Sequence, residues 1–156
     1  MLITRATEYA VRCALYLAAQ PPDRIVPRHE IAQAMDIPVA FLAKITQRLA
    51  RAGILRIVQG ARGGCRLLLP AQRLTLLAVV EAAEGEIGLN KCVLDPKACS
   101  SSDFCAVHPA WSEARRLLRE SLGAVTFVAL AAKERAGTAA PVRRRPGADR
   151  GQRAGR

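Results

Sequence analysis

The sequence predicts a mainly α-helical chain built as a winged helix-turn-helix, with a small β-hairpin wing and a long C-terminal helix. Three observations predict it. Apolar side chains recur at helical spacing through the first fifty residues, and two of these helical runs are separated only by Asp36-Ile37-Pro38. Directly afterwards the apolar pattern changes period around a glycine cluster, Gly60-Ala61-Arg62-Gly63-Gly64. A helix pair with so short a turn, followed by a hairpin, is the order that makes a winged helix.

Each element has a local reason. Over residues 5–20, Ala6, Tyr9, Ala10, Cys13, Ala14 and Leu17 fall on one helical face, with Thr4 as N-cap and Pro21-Pro22 as the stop. A second, short helix starts near Pro27, a residue suited to the first helical position, and buries Ile31 and Ala32. The third runs from about Val39 to Ala52, buries Leu42, Ile45 and Leu49, and ends on Gly53 as a left-handed cap. Strands are expected at 54–58 and 66–69, with the glycines between them supplying positive φ. Thr75 caps a helix over Leu76 to Ala83, closed by Gly85. A long helix spans Pro109 to Leu122, a last short one Val125 to Arg135, and from Gly137 onward Ala, Gly, Pro and Arg without periodicity predict a disordered basic tail. The organisation is therefore 1–85, a winged helix-turn-helix domain; 86–107, a cysteine loop; 108–136, the long and terminal helices; and 137–156, the tail.

Charge is placed unevenly. The chain of 156 residues carries a net +11. The tail holds six arginines against Asp149, a net of +5. Residues 24–73 hold nine Lys or Arg against Glu30 and Asp36, a net of +7, so the rest is close to neutral. Basic charge confined to one module is the footprint of a polyanion partner. On the third helix the outward positions are Ala40, Ala43, Lys44, Gln47, Arg48 and Arg51. Lys44 and Gln47 have the reach and donors for base edges, while Arg48 and Arg51 suit phosphates. Arg62 at the wing tip suits a narrow minor groove, and Gln59 opens the wing beside it. An intramolecular pair of Arg48 with Glu30 or Asp36 is the competing reading. Trp111 and Leu130, on or just beyond the long helix, would stay half exposed in a single copy. Symmetric pairing through that helix solves this and sets two recognition helices over a pseudo-palindrome in double-stranded DNA.

Between the fourth and the long helix lies Cys92-(x)6-Cys99-(x)5-Cys105-(x)2-His108, among Asp95, Pro96, Lys97 and Ser100-Ser101-Ser102-Asp103. Free cysteine ordinarily behaves as a small buried hydrophobe, so three in a polar loop call for a reason. Thiolate coordination of a soft metal centre fits the residue types. Zinc usually takes its ligands in closer knuckles, so an iron–sulfur cluster fits this spacing better. A metal-free thiol redox sensor and a zinc-stabilised winged-helix module that binds protein are the alternatives. His108 is the local choice of fourth ligand. Cys13 and Cys65 sit on apolar faces and are expected in the core. The composition excludes other classes. No apolar run reaches membrane length, no signal segment opens the chain, and no nucleophile–base arrangement supports an enzyme. The expected compartment is the cytoplasm, where five cysteines stay reduced.

These residues together resemble the Rrf2 family of winged-helix regulators, the group that contains the IscR-type and NsrR-type iron–sulfur sensors. The resemblance covers residues 1 to about 135. It rests on Thr4 with Tyr9-Ala10-Val11; on Ile37-Pro38, Phe41-Leu42 and Arg48-Leu49 with Gly53 and the wing glycines; and on the three spaced cysteines. It implies a dimeric transcriptional regulator, a repressor in the first instance, whose 2Fe-2S or 4Fe-4S cluster sets its DNA affinity in response to iron–sulfur, redox or nitric oxide status. The IscR-type pattern implies His108 as fourth ligand, and the NsrR-type pattern implies Glu8, supplied from the first helix across a dimer. Gln59 stands where IscR-type members commonly carry arginine, and Cys65 where an aromatic is usual.

Overall fold

The computed structural model describes residues 4–60, 62–87 and 108–137. The cysteines at 92, 99 and 105, the wing residue Ala61 and the basic tail lie outside the described residues. Six helices and one hairpin follow in the order α1 (Arg5–Ala18), α2 (Arg28–Ala34), α3 (Val39–Arg51), β1 (Leu55–Val58), β2 (Gly64–Leu67), α4 (Leu76–Glu84), α5 (His108–Gly123) and α6 (Phe127–Gly137). This is the expected winged helix-turn-helix.

Helix α1 is the central element. Thr4 caps it by accepting from the Ala6 and Thr7 amides, and Thr7, Ala10, Cys13, Ala14 and Leu17 are buried along one face. Around it, Ile31, Leu42, Ile45, Leu49, Leu55, Cys65, Leu74, Val79 and Phe127 form one continuous core. Full burial of each large aliphatic side chain contributes roughly 1.5–3 kcal/mol. The turn between α2 and α3 is closed by the Ile37 amide on the Ala32 carbonyl at 2.9 Å. Asp36 there adopts φ 51°, a region aspartate tolerates better than most residues.

Two boundaries move for physical reasons. Pro27 takes the N-cap position of α2 with extended backbone, one residue before the position expected for it. The cause is Val26, which makes paired 2.8 Å backbone hydrogen bonds with Cys65 of β2 and so stays extended. The second wing strand starts at Gly64, two residues earlier than expected, in antiparallel register Leu55↔Leu67 to Val58↔Gly64. Among the wing glycines, Gly60 uses positive φ, at 107°. Gly64 is required by close approach instead, since a Cβ there would lie 2.2 Å from the Val26 carbonyl oxygen.

Helix α6 returns to the domain. The Leu76 amide bonds Val125 O at 2.8 Å and the Phe127 amide bonds Leu74 O at 2.9 Å, which places Phe127 and Ala131 in the core beside α1. Helix α5 behaves differently: none of its residues is buried, and Trp111 and Leu117 are 38% and 50% exposed.

Candidate DNA interface and metal-ligand positions

Helix α3 divides cleanly into two faces. Leu42, Ile45, Thr46 and Leu49 point inward, and Thr46 satisfies its hydroxyl on the Ala43 carbonyl at 3.1 Å. Ala40, Lys44, Gln47, Arg48 and Arg51 are exposed and Ala43 is half-buried, as the helical spacing predicts. Gln47 and Gln59 both line a cleft of about 420 Å³ between α3 and the wing, lined also by Arg28, Val58 and Gly60. Arg28, the first residue of α2, is a further polar group of this cleft, and no helical or wing spacing marks it in the sequence. Only its membership of the basic module pointed to it.

Among the described residues, two of the module's nine cations pair with carboxylates. Arg24 lies 2.9 Å from the Glu30 carboxylate, which also accepts from Tyr16 at 2.8 Å. Arg66 reaches Asp23 at 3.8 Å. Arg48 pairs with neither Glu30 nor Asp36, and its guanidinium turns toward α4, where Nη1 donates to the Ala83 carbonyl at 2.8 Å. Lys44, Arg51, Arg56 and Arg62 have no carboxylate partner among the described residues. They are therefore cations left to solvent on α3 and the wing, the two elements that a winged helix presents to a duplex.

Of the ligand positions, two are described. His108 opens α5 and is half-buried. Glu8 lies in the first turn of α1, 47% exposed, and pairs with Arg12 one turn later. Arg12 also donates to the Met35 carbonyl at 3.1 Å, so this arginine bridges Glu8 to the end of α2. Cys92, Cys99 and Cys105 fall in the sequence between α4 and α5, outside the described residues. Three thiols with an imidazole or a carboxylate are a donor set suited to an iron–sulfur centre. Among the described residues no group of three or more His, Cys, Asp or Glu side chains is placed to hold a metal ion. Cys13 and Cys65 are fully buried, and burial pushes the Cys13 thiol up to about 12 and raises that of Cys65. Neither is a reactive thiol.

The comparisons with known proteins agree with this architecture. A family model described as an iron-dependent transcriptional regulator, Rrf2, matches residues 3–133. The chain is 35% identical over 128 residues to the protein aau3 of Rhizobium meliloti, covering 81% of this chain and 82% of that one. It is 32% identical over 104 residues to the HTH-type transcriptional regulator NsrR of Halalkalibacterium halodurans, covering 62% and 71%. Among solved structures it shares its fold with CymR, the global cysteine regulator of B. subtilis, at TM-score 0.70 and 20% identity over 85% of this chain and 98% of that one. It shares it also with T. potens IscR, at TM-score 0.67 and 19% identity over 91% and 93%.

Proposed function

This chain belongs to the Rrf2 family of helix-turn-helix transcriptional regulators, and we propose that it is a homodimeric repressor whose DNA affinity is set by a cysteine-ligated iron–sulfur cluster. One observation carries the reading: three cysteines spaced by six and five residues in a polar segment between α4 and α5 of such a regulator. The family's description as iron-dependent supports it.

On this reading Cys92, Cys99 and Cys105 hold the cluster, with His108 or Glu8 as a harder and more exchangeable fourth ligand. The bound cluster supplies a centre that responds to oxidants, nitric oxide or iron supply. The rest is done by the chain's own residues. Lys44 and Gln47 reach base edges in the major groove, Arg51 binds phosphate, Gln59 lines the helix–wing cleft, and Arg62 enters the minor groove. The uncovered face of α5, with Trp111 and Leu117, packs against a second copy and spaces the two α3 helices over a pseudo-palindrome.

Anaerobic purification with an absorption spectrum and iron and sulfide counts tests the cluster. The expected result is visible charge-transfer absorption with iron and acid-labile sulfide, abolished by Ser at any one of the three cysteines. Zinc in place of iron, or full iron and sulfide retention in each single variant, would overturn the assignment.

A further inference from the structure

Side chains from three helices converge on the last turns of α4. Arg48 of α3 donates to the Ala83 carbonyl at 2.8 Å, a group near the helix end without an intrahelical partner, where a cation also meets the negative end of the dipole. The hydroxyls of Thr4, the N-cap of α1, and of Thr7 in its first turn both donate to Glu84 Oε1. Those bonds, with the Arg48 charge adding to them, hold the Glu84 carboxyl below its ordinary range. From α5, Arg119 pairs with Glu81, and Glu81 Oε1 also accepts from the Ile87 amide at 3.3 Å. The turn so held is the one that leads, nine residues after Ala83, to Cys92.

An arginine spent on a backbone carbonyl of another helix is poorly placed to serve as a phosphate contact. We propose that Arg48 is a positioning residue. It fixes the recognition helix to the C-terminal turn of α4, and through Ala83 and Glu84 the state of the cysteine segment reaches α3. This inference rests on the cluster-sensing reading. It adds the physical link between the sensor and the DNA-reading helix, with Thr4 and Thr7 tying α1, which carries Glu8, to the same turn.

The test uses the full chain, cluster-loaded and cluster-free, and a 30-base-pair duplex recovered from a random library by in vitro selection with each form. Affinity is measured across a salt series for the parent, Arg48→Met, Arg48→Lys, Thr7→Val and, as a comparator, Arg51→Ala. Arg48→Met is expected to leave the salt slope unchanged and to bring the ratio of the two forms' affinities toward one, from a parental ratio of about 5–150-fold. Arg48→Lys, which still donates to the carbonyl, restores most of the ratio. Thr7→Val narrows it without touching any group that could meet DNA, and thermal melts confirm that each variant folds. Arg51→Ala lowers the slope by about one and weakens both forms alike. The same result for Arg48→Met would make it a phosphate contact and overturn the proposal. So would a parental ratio that survives both Arg48→Met and Thr7→Val, with the cluster reading intact. A parent whose two forms bind alike would overturn the cluster reading itself, and the link with it.

Discussion

Replacing Gly64 by alanine places a methyl group where backbone already stands. The new Cβ would lie 2.2 Å from the Val26 oxygen, 2.6 Å from its carbonyl carbon and 2.9 Å from Pro27 N. All three are main-chain atoms, so relief needs a backbone movement of roughly 1 Å, against the close packing of a protein interior. The movement breaks the paired 2.8 Å hydrogen bonds between Val26 and Cys65, each with a net contribution of about 0.5–1.5 kcal/mol. Overpacking adds about 1–3 kcal/mol. The expected loss is about 2–6 kcal/mol out of a total stability of about 5–15 kcal/mol. Gly123 is the control. A Cβ there meets only Leu77 Cδ2, at an ordinary 3.7 Å, so Gly123→Ala stabilises the end of α5 by about 0.4–1 kcal/mol. Urea denaturation monitored by circular dichroism reads both. A Gly64→Ala midpoint equal to the parent's would refute the claim that close approach, and not turn conformation, demands glycine at the start of β2.

Burial of Cys13 and Cys65 makes them inert in the native state. A Cys13→Ala/Cys65→Ala variant should label with a thiol reagent as the parent does at pH 8 and differ by two thiols only in denaturant; faster native labelling of the parent would contradict their placement. Glu84 has a folded-state pKa below its unfolded value of 4.5, so its stabilisation is present above that value and disappears as pH falls through the folded pKa. The parent should therefore exceed Glu84→Gln in stability at pH 7, and the gap should close in acid; a gap independent of pH would rule out the ionised carboxylate as the acceptor for Thr4 and Thr7. Leu117→Asp places a charge on the uncovered face of α5 and should convert dimer to monomer in sedimentation velocity, whereas an unchanged dimer would remove that face from the interface.

The elements most legible in the sequence were those fixed by local pattern. The apolar spacing of α1 and α3, the Thr4 and Thr75 caps, Gly53 at φ 70° and the glycine-broken wing all express short-range rules. Contacts between distant residues left no such trace. The Val26–Cys65 bridge joins residues 39 apart, and no periodicity announces that one residue before a proline will pair with the wing. Phe127 reads as part of a short tail helix until its amide is found on the Leu74 carbonyl. Thr46, a polar residue on the buried face of α3, is fully enclosed because a hydroxyl can bond back to its own helix. Arg48 was the most instructive case. Its outward position is correct, but its length lets it turn toward a carbonyl on α4, and helical spacing carries no information about where a flexible side chain ends.

The property proposed for this protein is a DNA affinity that depends on occupancy of the cysteine site. It is tested most directly by anaerobic titration of one selected duplex with cluster-loaded and cluster-free protein, at a single salt concentration. The expected result is two dimeric forms whose affinities differ by about 5–150-fold, a coupling of about 1–3 kcal/mol. Equal affinities within error would leave the metal site structural and contradict the sensor reading.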